Sequence, residues 1–109
     1  MDDVLRALAA PRRRQILRLV RDGEMTAGAI AEQFDVTRPA ISEHLRVLRE
    51  TGLVTERRDG VRRLYRARAE ALAEVRDFID RFWDDSLDRL RLAAEAEQHQ
   101  QREPTHGAA

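Results

Sequence analysis

The chain predicts a mainly helical fold with one small β-hairpin, over residues 1–97, and three observations carry that prediction. Apolar residues recur at three- and four-residue steps along most of the sequence, the period of a helix with one buried face. An Asp59-Gly60 dipeptide separates two short extended runs and suits a tight hairpin turn. With aromatics at 5% and charged residues at 37%, the core has to be built from Leu, Ile, Val and Ala, a composition that suits helices. A chain of 109 residues is one domain with a modest core, and a partner subunit is expected to extend it.

Residues 2–8 make a short amphipathic start with Val4, Leu5 and Leu8 on one side. Pro11 opens a second helix at a first-turn position where the missing N–H costs nothing, and Ile16, Leu17, Leu19 and Val20 give it an apolar face until Gly23 stops it. Glu24 and Met25 suit a short extended piece. Thr26 caps a third helix reaching about Phe34, and Asp35 occupies the next turn, where its tolerance of left-handed backbone is useful. Thr37 caps a fourth helix with Pro39 in its first turn, and Gly52 ends it. Ile30, Phe34, Val36, Ile41, Leu45 and Leu48 are placed to bury where these two helices cross steeply. Runs 53–58 and 61–67 are the hairpin strands. A long last helix follows from about Ala69, with Leu72, Val75, Phe78, Ile79, Phe82, Trp83, Leu87 and Leu90 along one stripe. Residues 98–109 lack an apolar anchor and are expected to form a disordered tail.

The fourth helix leaves Thr37, Arg38, Ser42, Glu43 and Arg46 opposite its buried side. A helix with a free polar face beside an arginine hairpin is shaped to enter the major groove of DNA. Formal charge balances at 20 basic and 20 acidic residues, every basic one an arginine, but the charges are segregated. Residues 36–68 carry nine arginines against four acids, whereas residues 69–103 carry five against ten. That is the distribution of a nucleic-acid face backed by an acidic body, so double-stranded DNA is the expected partner.

Arg38 can bond guanine O6 and N7, Ser42 a base edge or a phosphate, and Thr37 a phosphate in addition to its cap. Pro39 belongs to the same leading turn, and Arg46, further along, suits the backbone. Glu43 has two roles open: accepting from cytosine N4, or pairing with Arg46 or Arg38. Arg57, Arg58, Arg62 and Arg63 bracket the hairpin turn, and strand alternation puts alternate members on opposite faces, so about half of them can reach the minor groove or its phosphates; Arg62 and Arg63 are the first choices, and Arg58 is a further candidate. Tyr65 packs the hairpin onto the body, or reaches a phosphate through its hydroxyl. His44 falls beside Ile41 and Leu48 on the inward side, which suits a hydrogen-bonded, half-buried histidine better than a metal ligand or pH switch. Arg12, Arg13 and Arg14 suit either phosphate contacts or ion pairs with Asp2 or Asp3. Val4, Leu5 and Leu8, with the apolar stripe of the last helix, are the expected dimer interface; Phe78, Phe82 and Trp83 could alternatively line an effector pocket there. Asp80, Asp84, Asp85 and Asp88 read as a charged outer face.

The run T-R-P-A-I-S-E-H-L-R-V-L-R-E-T-G-L-V, followed by R-R-D-G-V-R-R-L-Y and preceded by A-L-A-A-P-R-R-R-Q-I-L at residues 7–17, resembles the arsenic-repressor (ArsR) family of bacterial winged-helix regulators. The likeness extends to about residue 92. It implies a winged helix-turn-helix homodimer held through its first and last helices, two recognition helices on a pseudo-palindromic promoter operator, and release of DNA by an effector. Metal-sensing members carry cysteines in or near the helix before the recognition helix, or Asp and His ligands on the last helix. Here Ala27, Gly28, Ala29 and Ile30 stand in the first place, and no histidine precedes His99 in the second, so the chain resembles the cysteine-free branch.

With no cysteine there is no disulfide, thiolate metal site or thiol switch. No nucleophile and base at catalytic spacing and no phosphate-cradling glycine loop are present, so neither an enzyme nor a cofactor is expected. The two leading aspartates do not suit a secretory leader and no apolar run suits a bilayer span, so a cytoplasmic, membrane-free protein is expected. The expectation is a homodimeric DNA-binding repressor responding to an unidentified small-molecule effector. Two alternatives are an adaptor whose winged fold has lost DNA binding, and a regulator sensing metal through carboxylates with His99 or His106.

Overall fold

The computed structural model describes the backbone of residues 1–108 and the side chains of residues 1–99. Elements follow in the order α1 (Asp2–Ala9), α2 (Pro11–Arg21), β1 (Met25–Thr26), α3 (Ala27–Glu32), α4 (Arg38–Glu50), β2 (Val54–Asp59), β3 (Arg62–Ala67) and α5 (Ala69–Ala108). Met1–Val75 form one compact unit and the remainder of α5, from Arg76, another. Most of the tail expected over residues 98–109 lies outside the described side chains.

Ala10, in extended conformation, breaks the chain between α1 and α2, and Pro11 starts the second helix at N1. So short a break would leave the last carbonyls of α1 without donors. Arginines supply them: Arg13 Nη1 donates to the Arg6 and Ala7 carbonyls at 3.4 and 3.3 Å, and Arg14 Nη1 to that of Leu8 at 2.7 Å. The basic cluster therefore does not pair with Asp2 or Asp3, one of the two roles expected of it. Asp3 pairs with Arg6, and Arg12 lies over the Phe34 ring at 4.7 Å, a cation–π contact.

Both helices of the turn motif start on a threonine hydroxyl. Thr26 Oγ1 accepts from the Ala29 N–H at 3.1 Å and Thr37 Oγ1 from that of Ala40 at 3.3 Å. Helix α3 is shorter than expected, because the Gln33 and Phe34 N–H groups close tight turns on the Ile30 and Ala31 carbonyls. Asp35 does not use left-handed backbone: among the described residues only Gly52 and Gly60 have positive φ. Ile41, Leu45 and Leu48 of α4 and Ile30 of α3 are fully buried, joined by Ile16 and Val20 of α2, and each such side chain contributes about 1.5–3 kcal/mol. At the end of α4, Leu53 N–H returns to the Leu48 carbonyl at 2.9 Å and Gly52 N–H to that of Arg49 at 3.0 Å. This is a Schellman stop, with Gly52 at φ +78° as its left-handed residue.

The sheet has a third strand. β1 pairs antiparallel with β3, giving the order β1-β3-β2, so the extended piece expected near Met25 becomes part of the sheet rather than a link. The hairpin turn lies one residue beyond its expected place. Asp59 pairs with Arg62, leaving Gly60 and Val61 as the two loop residues, with Gly60 at φ +64°. Positive φ at the first loop position alone is the pattern of a type II′ turn, which asks for glycine there, not at the second position that Asp-Gly would give it.

Opposed residues share a face of the sheet. Val54, Glu56 and Arg58 therefore stand with Ala67, Tyr65 and Arg63, while Thr55, Arg57 and Asp59 stand with Arg66, Leu64 and Arg62. Val54 and Tyr65 are buried in the core, so the first face is the inner one. At the start of α5, Ala71 and Leu72 pack partly against that core and Val75 is buried. Val4 and Leu8 of α1 do so too. Beyond residue 75, Ile79, Phe82, Trp83, Leu87 and Leu90 are exposed, and Phe78 is half-buried with its ring stacked on Phe82 at 6.4 Å between centroids.

Candidate nucleic-acid interface

Helix α4 and the β2–β3 hairpin enclose an open groove of about 750 Å³. Arg38, Ser42, Arg46 and Arg49 line it from α4, and Val61, Arg62 and Arg63 from the hairpin, with Gly28 and Glu32 of α3 on the far wall. Steps of four, four and three residues place Arg38, Ser42, Arg46 and Arg49 along a single stripe of α4. Gly28 lies beside Arg38, whose guanidinium stands 3.8 Å, an ordinary contact distance, from where a Cβ at that position would be.

The arginines differ in freedom. Arg38 and Arg58 make no hydrogen bond or ion pair among the described residues. Arg46 is held on two sides: Glu43 Oε2 accepts from its Nε at 3.0 Å, a second contact joins its Nη2 to Glu43 Oε1, and both Glu50 oxygens accept from Nη1 at 2.9 Å. These bonds stabilise the charged partners, raising the Arg46 pKa and lowering that of Glu43. Of the two roles open to Glu43, the structure displays the pairing with Arg46. Arg49 pairs with Glu56 on β2, and the same carboxylate takes Arg63 at 3.4 Å. Arg62 bonds Asp59 at 3.1 Å across the turn.

The sequence around this groove has known counterparts. Residues 10–56 match the family model described as bacterial regulatory protein, arsR family. The HTH-type transcriptional regulator Rv2034 of Mycobacterium tuberculosis is 40% identical over 86 residues, 79% of this chain and 80% of that protein. The chain belongs to the arsR family.

Other members extend the comparison. The transcriptional repressor SdpR of Bacillus subtilis is 43% identical over 60 residues, 55% of this chain and 67% of that protein. A crystal structure of a possible transcriptional regulator for arsenical resistance superposes with a TM-score of 0.71 at 49% identity, covering 81% of this chain and 92% of that one. A solution structure of a homodimeric winged helix-turn-helix DNA-binding domain from Mycobacterium bovis gives 0.63 at 36% identity, covering 77% and 78%. In this arsR-family fold α3 and α4 are the helix-turn-helix and the β2–β3 hairpin is the wing. The chain is a winged helix-turn-helix transcriptional regulator, not an enzyme.

Of the residues singled out by sequence, Arg38, Ser42, Arg46, Arg62 and Arg63 come together in the groove. Thr37 and Pro39 form the leading turn of α4 outside its lining, and Arg58 faces Arg63 across the wing without a partner carboxylate. Arg49 and Glu56 take part without having been singled out by sequence. Arg49 was legible as the next step of the α4 stripe, whereas Glu56 carried no local signal, its partners being brought in by the fold. Arg57, on the outer wing face, is tied to Glu24 at 2.9 Å, which lowers the Glu24 pKa.

His44 is half-buried, and its Nδ1 accepts from Arg13 Nε at 3.3 Å. Burial and then the neighbouring Arg13 charge hold its pKa below the ordinary imidazole value. Among the described residues no group of three or more His, Asp or Glu side chains could hold a metal ion, and the His106 side chain lies outside them. No helix among the described residues is long and apolar enough to cross a membrane.

Proposed function

We propose that this regulator acts as a homodimer on a pseudo-palindromic promoter operator, with α4 in the major groove and the wing on the adjacent backbone or minor groove. The observation that carries the reading is the unpaired Arg38 at the head of α4, opening onto the arginine-lined groove. A free guanidinium there can bond guanine O6 and N7, the commonest specific contact of the major groove, with Ser42 one turn further along. Thr37 and Pro39 set the leading turn beside a phosphate, Arg46 and Arg58 lie toward the backbone, and Glu43 steadies Arg46. The exposed stripe from Ile79 to Leu90 supports self-association, and a two-fold dimer places the recognition helices about 34 Å apart, one turn of duplex. A regulator of this kind works on chromosomal DNA in the cytoplasm, and the similarity to the transcriptional repressor SdpR supports repression as the sign.

Fluorescence anisotropy against duplex DNA from upstream of the gene, with a scrambled control at several salt concentrations, tests the reading. Neutralising about 6–10 phosphates gives a slope of log affinity against log salt of about −5 to −9. Sequence-selective binding with that slope is the expected result. Weak binding, equal on both duplexes and also on sites selected from random DNA, would remove it.

A further inference from the structure

Glu56 joins the recognition helix to the wing. Its Oε2 takes Arg49 Nη1 of α4 and its Oε1 takes Arg63 Nε of β3 at 3.4 Å. The carboxylate side chain is 15% exposed, while those of Arg49 and Arg63 are 44% and 50% exposed. The anion thus sits beneath and two cations above, both on the groove lining, and neither Arg49 nor Arg63 has another carboxylate of its own among the described ion pairs. From the inner wing face, beside buried Tyr65, one negative charge serves cations from two different elements. A carboxylate within a DNA-facing surface opposes binding to any phosphate backbone, so its presence calls for a compensating role.

We propose that Glu56 is a specificity-setting positioning residue: it fixes Arg49 and Arg63 at one spacing and withholds one of their two charges from indiscriminate duplex binding. The inference rests on the DNA-binding reading above. With both arginines bridged, the surface offers a net single charge at a fixed place, and a duplex whose phosphates fit that place is favoured over one whose phosphates do not. Loss of the anion frees a full charge and releases the two guanidiniums to reach phosphates on any sequence, which raises unspecific affinity more than specific affinity.

The test compares the wild-type chain with Glu56→Gln and Glu56→Asp, using the tightest site selected from random duplex DNA and its scrambled control across a salt series. Glu56→Gln is expected to bind the scrambled duplex severalfold more tightly at low salt, to steepen the salt slope by about 0.9, the contribution of one further phosphate, and to lose preference for the selected site. Glu56→Asp keeps the charge but is too short to span both arginines, so preference falls while the slope stays at the wild-type value. Should Glu56→Gln fail to fold by circular dichroism, the aspartate variant decides alone. Wild-type slope and preference in the variants that fold would overturn the assignment, as would equal weakening on both duplexes. A wild-type chain that shows no preference for any site removes the DNA-binding reading itself, a result distinct from a selective wild type with indifferent variants.

Discussion

Arg38 and Arg46 lie on one stripe of one helix, yet their surroundings give them different prospects. Arg46 is ringed by Glu43 and Glu50, whereas Arg38 lies beside Gly28 and makes no hydrogen bond or ion pair among the described residues. Arg38→Ala is therefore expected to cost about 1–3 kcal/mol of binding on the operator and much less on scrambled DNA, measured by anisotropy; equal weakening on both would reassign it to phosphate. His44 gives a pH prediction. Its folded-state pKa is depressed, so below the ordinary value near 6.5 the unfolded chain binds the proton more readily than the folded one. The neutral side chain's stability is complete above that value and is lost as pH falls through it. Urea unfolding at pH 7.5 and pH 5.5 should show a smaller loss for His44→Gln than for the wild type; identical losses would mean that His44 does not contribute. The inward placement of His44 was legible from its spacing to Ile41 and Leu48. Its partner was not, because Arg13 lies in another helix and reaches it only once α1 and α2 have folded against α4.

Helix ends were the most readable elements. Thr26, Thr37, Pro11 and Gly52 each mark a boundary by a local property, a hydroxyl at an N-cap, a fixed φ or freedom at positive φ, and the structure uses each in that way. Gly52→Ala is expected to destabilise the fold by about 1–2 kcal/mol, since alanine at φ +78° is strained and its Cβ would meet the Arg68 guanidinium at 3.1 Å. Denaturant unfolding measures it, and an unchanged midpoint would count against the Schellman stop as the determinant. The wing tip was legible only to within a residue. Asp59-Gly60 and Gly60-Val61 both make good two-residue turns locally, and the choice falls to the pairing that sets Tyr65 opposite Glu56 and inward. β1 was harder still, because its two residues acquire strand character only by pairing with β3.

At the scale of the whole molecule, zero net charge conceals a basic middle and an acidic last third, and that separation, not the total, was the informative quantity. The apolar stripe of α5 was equally legible as a stripe. Which of its members serve the chain's own core was not: Val75 is 7% exposed within one chain, whereas Trp83 is 58% exposed. Phe82→Asp combined with Trp83→Asp is expected to convert a dimer to a monomer in sedimentation velocity and to lower operator affinity by more than tenfold, as each half-site then binds without its partner. A double variant that still sediments as a dimer would place the interface elsewhere.

The two-residue tip also dictates how the wing can be re-engineered. Inserting one residue into each strand below Arg58 and Arg63 would keep them opposed but turn both over to the side now occupied by Arg57 and Leu64. Inserting two into each would return them to the inner side, about 7 Å further out. Anyone lengthening this wing to span a wider stretch of duplex has to work in increments of whole pleats.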